Sequence, residues 1–108
     1  MTRKAKMTEQ TQTINRVKTK LKPPPHYSVT FYNDDVTPMG FVVVALEQVF
    51  GYNSNDAMAK TLDIHNSSKA IVGTFLKAIA ETKRDVVIEN ARKAGYPLVV
   101  TAEPVAGE

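Results

Sequence analysis

The fold is decided by residues 27–51, YSVTFYNDDVTPMGFVVVALEQVFG, in which a strand signal, a polar loop and a helix signal follow one another. Aromatic and β-branched residues dominate the first six positions, which is typical of a strand. Alternation along that strand puts Tyr27, Val29 and Phe31 on one face. The strand signal stops at Asn33, where amide and carboxylate side chains begin. The stretch therefore predicts a strand that ends at a polar loop.

Helix-start and helix-end signals follow this loop. Thr37 is a favourable N-cap, Pro38 suits the first helical position and Gly51 is a favourable C-terminal stop, so we predict a helix between them. Gly40 and the valine run are poor helix formers, so tertiary packing must hold this segment. A strand over residues 41–46 is the competing interpretation.

Weaker signals of the same kind divide the rest of the chain. They predict a second helix from Asn53 or Ser54 to residues 65–68, a strand over residues 69–75, a helix over residues 78–94 that stops at Gly95, and a strand over residues 97–102. The order βααβαβ favours an α+β fold with a small three-stranded antiparallel sheet packed against three helices.

Length and composition limit the class of protein. The chain has 108 residues, 43% of them hydrophobic, which allows one small domain. The absence of Cys excludes disulfides and Cys-based zinc or nucleophile sites. No apolar run approaches the ~18 residues that a membrane helix needs. We expect no membrane association and a cytoplasmic location.

The charge is divided unevenly along the chain. Residues 1–22 carry seven Lys or Arg and one Glu, a net +6, whereas residues 23–108 carry −3. We predict a flexible, disordered basic extension over residues 1–25, a core domain over residues 26–104 and a short tail over residues 105–108. The extension could be a nucleic-acid arm, an organelle transit peptide that would direct the protein to a stroma, a segment gripped by a partner, or a tail without a function.

The polar loop suggests a binding site. Asn33, Asp34 and Asp35 offer acceptors beside an apolar helix, which suits a ligand with a positive head and an apolar tail. Alternatively, Asp34, Asp35 and His65 could bind Zn²⁺ or Mn²⁺ or act as an acid and base. Their spacing fits no metal motif, no nucleotide loop or nucleophile motif accompanies them, and adjacent aspartates are common in turns. We therefore expect no metal, no cofactor and no enzymatic activity.

Motifs that run in uninterrupted order through residues 22–104 carry a resemblance to a known family. They are Lys22-Pro-Pro-Pro, Tyr27 to Tyr32, Asn33-Asp34-Asp35-x-Thr37-Pro38-Met39-x-Phe41-Val42, Ile64-His65, Lys69-Ala70 with Gly73, Ala80-Glu81-Thr82-Lys83 and Tyr96-Pro97-Leu98. Together they resemble ClpS, the adaptor that delivers N-degron substrates to the AAA+ unfoldase of the Clp protease. Residues 1–21 lie outside the resemblance.

The resemblance implies a site for the free α-amino group of a polypeptide whose first residue is Leu, Phe, Tyr or Trp. Asn33, Asp34 and His65 match the family's amine-binding positions, and Asp35 and Thr37 match supporting positions in the same loop. An ammonium group is a donor without an acceptor, so it needs such acceptors. A charged imidazole would repel it, and binding should therefore weaken in mild acid.

The resemblance also implies an apolar pocket for the first side chain. Its lining would comprise Met39, Val42, Thr61, Ile64 and Leu98. Met39 is the candidate gatekeeper, because a bulky thioether at the entrance would restrict β-branched side chains. Thr61 stands where the family usually has Met, so the pocket should be roomier or more polar, and the ranking of first residues could differ.

Docking on the N-domain of the Clp unfoldase is implied at a third set of positions. Lys83 is retained there, whereas Val36 and Ala78 depart from the residues common in the family, so the partner could be a variant one. We expect a monomer that does not bind nucleic acid. A ribosome- or nucleic-acid-associated module that uses the basic extension is the alternative, although the remaining chain is acidic.

Overall fold

The computed structural model describes residues 25–105, and the predicted basic extension and C-terminal tail lie almost wholly outside them. The domain boundaries stay predictions. The elements are β1 (His26–Tyr32), α1 (Met39–Phe50), α2 (Ser54–Ser67), β2 (Lys69–Leu76), α3 (Lys77–Lys93) and β3 (Val99–Pro104). This order confirms the predicted α+β fold. None of these helices is long and apolar enough to cross a membrane.

The strand at the start of the deciding stretch becomes the centre of the sheet. Within residues 25–105 the strand order is β2-β1-β3, and both pairings are antiparallel. Val29 and Phe31 are fully buried, whereas Ser28 and Thr30, which alternate with them, are half-buried and line a groove on the other face of the sheet. The predicted alternation is therefore correct, because the helices of residues 25–105 cover one face of the sheet.

A β-bulge interrupts the pairing of β1 with β2. Val29 pairs with Gly73 and Thr30 with Ile71, so Val72 is the extra residue. The Tyr52 hydroxyl donates a hydrogen bond of 2.6 Å to the Val72 carbonyl. Burial raises the pKa of this hydroxyl and nearby Asp56 raises it further, so the phenol remains a donor at neutral pH. The bulge is thus held by the loop between α1 and α2.

Tertiary packing makes residues 41–46 helical despite the valine run, and the competing strand interpretation is wrong. Val42, Ala45 and Leu46 follow helical spacing and are buried in the core. The helix ends as predicted at Gly51, whose φ of 75° is left-handed and whose N–H donates to the Leu46 carbonyl.

The predicted start of α1 is wrong by one residue. Pro38, with φ −65° and ψ 144°, is the N-cap, and Met39 rather than Pro38 is the first helical residue. Thr37 does not cap the helix, because its hydroxyl donates to the Asp34 carboxylate at 2.8 Å. Asp34 therefore keeps Thr37 in the loop.

The other boundaries agree within two residues. Asn53 caps α2 by accepting from the Asp56 N–H at 2.7 Å. The last strand begins at Val99 rather than at Pro97. Pro97 has no N–H for a ladder, and the carbonyl of Leu98 is engaged by Arg92 instead.

Candidate functional site

A small depression, called here the strand-end pocket, lies where β1 ends and β3 begins. Its lining comes from three separate stretches of the chain, 32–42, 61–64 and 98: Tyr32, Asn33, Asp34, Thr37, Met39, Val42, Thr61, Ile64 and Leu98. The fold therefore places two predicted amine-binding residues beside the five residues predicted to form the apolar pocket.

Asp34 organises the loop that forms the polar rim. One carboxylate oxygen, Oδ1, accepts from the Val36 and Thr37 N–H groups at 2.8 and 2.7 Å, and Oδ2 accepts from the Thr37 hydroxyl at 2.8 Å. A carboxylate has about four acceptor positions, so these bonds leave about one, on Oδ2. Asp34 therefore both holds the turn and retains capacity for one external donor.

The charge of Asp34 is maintained by its surroundings. Desolvation by partial burial raises the pKa of this carboxyl, but the hydrogen bonds from Thr37 and Val36 and the positive charge of Arg92 lower it further than burial raises it. The net direction is downward, so Asp34 carries a full negative charge at neutral pH. The rim of the strand-end pocket is therefore anionic.

Asn33 and His65 lie at the same end of the domain, but Asn33 alone of the two lines the strand-end pocket. The Asn33 N–H donates to the Ser68 carbonyl at 2.7 Å, which ties the loop to the residue following α2. Asn33 is exposed and lines the pocket, whereas His65 lies exposed in the last turn of α2 and is not part of the lining. His65 could reach a ligand only above the rim.

The walls of the pocket are apolar and well packed. Val42, Ile64 and Leu98 are 6%, 3% and 1% exposed, so their positions are determined by the core. Thr61 is 2% exposed, and its hydroxyl donates to the Ala57 carbonyl at 2.7 Å. Its donor is satisfied within α2, so the wall offers the ligand no free hydroxyl proton.

Met39 lies at the first position of α1, and the space beside it is narrow. About 10 Å³ of the pocket is open, which is room for one water molecule. Met39 is 38% exposed and has three rotatable bonds, so its side chain is better able to move than the buried side chains of the pocket. A Leu or Phe side chain would require such a movement.

The predicted docking residues are divided between two places. Lys83 donates from Nζ to the Val49 carbonyl at 2.7 Å and lies 5.6 and 5.3 Å from the ring centres of Phe50 and Phe75. Its ammonium is therefore held against the C-terminal end of α1. Val36, 61% exposed, lies in the loop before that helix. Ala78 is exposed in the first turn of α3.

Sequence reasoning missed two residues at the site. Tyr32 lines the strand-end pocket, and its position next to Asn33 was the available signal. The second is Arg92, a basic residue in the last turn of α3. Its Nη1 atom donates to the carbonyls of Tyr96 and Leu98, and no local sequence pattern predicts these two hydrogen bonds. Asp35, a predicted supporting residue, is exposed and lies outside the lining.

Two observations concern other possible sites among residues 25–105. A larger, open groove of about 570 Å³ lies on the outer face of the sheet, where Ser28, Thr30 and Ile71 contribute to its floor. Glu103 is its only carboxylate among the described lining residues, so it lacks the acceptor set found at the strand end. No group of three His, Asp or Glu side chains in this part of the chain is placed to hold a metal ion.

Comparison with known proteins gives consistent matches. The sequence profile of the family described as ATP-dependent Clp protease adaptor protein ClpS matches residues 22–101. The ATP-dependent Clp protease adapter proteins ClpS of Albidiferax ferrireducens and Herminiimonas arsenicoxydans are each 44% identical to the chain over 92 residues, or 85% of its length. The match covers 77% of the first relative and 90% of the second.

A solved structure is similar as well. The structure of Agrobacterium tumefaciens ClpS2 bound to L-phenylalaninamide superposes with a TM-score of 0.75 at 35% sequence identity. The superposition covers 77% of this chain and 100% of the other.

Proposed function

The chain belongs to the ClpS family of Clp protease adaptors, and from this premise we propose that it binds the free α-amino group and large apolar first residue of N-degron substrates. We propose further that it delivers them to the N-domain of a Clp AAA+ unfoldase. The observation that carries the proposal is the position of the anionic, incompletely saturated Asp34 carboxylate directly beside an apolar pocket. The ligand of Agrobacterium tumefaciens ClpS2, L-phenylalaninamide, has the same two parts, an amine and an apolar side chain.

The amine is recognised by acceptors and charge. An α-amino group has a pKa of about 8 and is mostly an ammonium at neutral pH. Its N–H groups are bound by the remaining acceptor position of Asp34 and by the side-chain carbonyl of exposed Asn33. His65 accepts the third N–H from above the rim, directly or through a water molecule. An acetylated amine has lost its charge and most of its donors, so it is rejected.

The first side chain enters between Met39 and the buried walls. Met39 moves to admit it, and the rigid walls Val42, Ile64 and Leu98 limit its shape. Burial of a Leu or Phe side chain contributes about 1.5–3 kcal/mol, and each charge-assisted hydrogen bond contributes about 1.5–3 kcal/mol. After the cost of association these terms correspond to micromolar affinity, which suits an adaptor that must release its substrate.

Delivery uses surfaces away from the pocket. We place the unfoldase contact on α3 around Ala78 and Lys83, with Val36 as a further contact at the other end of α1. Because the Lys83 ammonium is already held by α1, its alkyl chain and orientation are fixed before docking. The basic segment before the domain is proposed to engage the unfoldase during transfer.

A peptide-binding experiment tests the function. Fluorescence anisotropy with labelled peptides that begin with Phe or Leu should show micromolar binding to the full chain, and peptides that begin with Val should bind weakly. A peptide that begins with N-acetyl-Phe is the matched control and should not bind. Equal binding of the acetylated peptide would sink the proposal, and salt-sensitive binding to RNA instead would favour the nucleic-acid alternative.

The proposed role of Met39 as gatekeeper leads to a second prediction. Met39→Ala should admit Val-initiated peptides, because removal of the thioether opens the entrance to β-branched side chains. The measured quantity is the ratio of the dissociation constants for Val- and Phe-initiated peptides, which should fall by about tenfold. Val44→Ala, at an exposed position of the same helix that is absent from the pocket, is the control. If Met39→Ala keeps the wild-type ratio, Met39 is not the residue that excludes β-branched first side chains.

A further inference from the structure

The segment that supplies Leu98 to the strand-end pocket has no regular secondary structure. Residues 94–98 lie between α3 and β3, so helical or ladder hydrogen bonds do not hold the wall in place. Its carbonyl groups must be bound in another way. The only side chain of residues 25–105 seen to bind them is Arg92.

Arg92 makes two contacts with this segment. Both protons of Nη1 are used, one on the Tyr96 carbonyl at 2.8 Å and one on the Leu98 carbonyl at 3.0 Å. The two acceptors lie on either side of Pro97, which contributes no N–H of its own. The planar guanidinium therefore acts as a brace across the turn.

The same turn is held from the opposite side. The Tyr96 N–H donates to the Ala91 carbonyl at 2.8 Å, and the Tyr96 ring packs edge-to-face on Phe41 of α1 at 5.3 Å between ring centres. Arg92 thus completes a set of contacts that links α3, the turn and the helix carrying Met39. Its positive charge also acts on Asp34, where it favours the ionised carboxylate.

We propose that Arg92 is a positioning residue of the binding site: it holds Leu98 at the depth that the first side chain of the substrate meets. The inference rests on the proposed function, since it assigns a role within the same pocket. Arg92 does not touch the ligand. It acts through the position of the Leu98 side chain. Its positive charge also favours the ionised form of Asp34, the proposed acceptor of the substrate ammonium.

The double-mutant cycle of Arg92→Met with Leu98→Val tests this role. Arg92→Met should weaken binding of a Phe-initiated peptide by about three- to tenfold, and Arg92→Lys, which keeps the charge and one donor group, should recover part of the loss. In the Leu98→Val background the effect of Arg92→Met should shrink, because the wall it positions has been altered. A purely global loss of stability would leave the effect the same in both backgrounds.

The control is Lys93→Met in the same helical turn. Lys93 is exposed, and its one ion pair within the described part of the chain is with Glu89 at 3.6 Å, so its replacement should leave binding unchanged. Thermal melts identify variants that fail to fold, and for those the Arg92→Lys cycle takes the place of Arg92→Met. Wild-type affinity in a folded Arg92→Met protein, or additive effects in the cycle, would overturn the proposal.

A readout on the free protein separates this inference from the proposed function. The methyl NMR signals of Leu98 should shift in Arg92→Met and stay in place in Lys93→Met without any peptide. If the wild type fails to distinguish free from acetylated peptides, the function is wrong whatever Leu98 does. If the wild type distinguishes them and the Leu98 signals do not move, only the positioning role is wrong.

Discussion

Asp34→Ala is expected to lower affinity for Phe-initiated peptides by about 30- to 100-fold, the effect of removing one partner from a partly buried, hydrogen-bonded charge pair. The substitution has two consequences. It deletes the anion that attracts the ammonium, and it leaves the N–H groups of Val36 and Thr37 and the Thr37 hydroxyl without their common acceptor. Fluorescence anisotropy against the free and acetylated peptides measures the loss.

Asp34→Asn separates the two consequences. The Asn carbonyl can still accept from both backbone N–H groups, so the turn should survive, whereas the charge is gone. We expect most of the affinity loss to remain, at about tenfold or more. If Asp34→Asn binds as the wild type does, Asp34 serves the loop alone and the proposed ammonium contact is wrong.

The lowered pKa of Asp34 determines how this contact responds to acid. A carboxyl whose folded-state pKa is depressed contributes stability above its unfolded-state pKa, and the contribution is lost as the pH falls through the folded value. Asp34 should therefore stay ionised, and its loop intact, through mildly acidic solution. A loss of peptide affinity in mildly acidic solution would therefore not come from protonation of Asp34.

Phe31→Ala is expected to have the largest effect on stability. The Phe31 side chain is fully buried at the centre of the sheet and packs edge-to-face on Phe50 at 5.7 Å between ring centres. Removing a buried Phe ring costs about 3–5 kcal/mol. A domain of this size has a free energy of unfolding of only about 5–10 kcal/mol, so the variant should be close to its stability limit.

Urea unfolding followed by circular dichroism provides the measurement, since the chain has no Trp. Phe31→Leu should lose about 1–2 kcal/mol, because an aliphatic side chain fills part of the same space. Val99→Ala, at a site 48% exposed, is the surface control and should change the free energy of unfolding by about 0.5 kcal/mol or less. A change below 1 kcal/mol for Phe31→Ala would contradict the assignment of Phe31 to the core.

The elements were predictable where local signals agree with burial. Alternation in residues 27–32 and the helix-start signal at Asn53 or Ser54 act within a few residues, and the structure agrees with both, with Asn53 as the N-cap. The start of α1 was misjudged because Thr37 is an equally good cap and turn residue, and the choice depends on the Asp34 carboxylate three positions earlier. The predicted last strand began two residues too early, at Pro97, and no strand pattern shows that Arg92 binds the Leu98 carbonyl just before β3.

The residues that line the site were predictable from the sequence, but their hydrogen-bond partners were not. Family motifs placed Met39, Val42 and Leu98 in one pocket, and the fold brings them together. The bonding state of each group could not be read from the chain. The Thr61 hydroxyl donates to the Ala57 carbonyl, and the Lys83 ammonium donates to the Val49 carbonyl. The Thr61 bond lies within one turn of α2, whereas the Lys83 bond forms only when α1 and α3 meet.

The distribution of the pocket lining along the chain has a consequence for biosynthesis. Its first contributor is Tyr32 and its last is Leu98, which lies directly before the strand β3 that pairs with β1. A ribosome exposes these segments in order, and long-range pairing is slow compared with helix formation. A nascent chain that has emerged only as far as α3 would therefore display the acidic loop but no closed side-chain pocket. On the proposed function, substrate capture must therefore wait until Leu98 has left the ribosome.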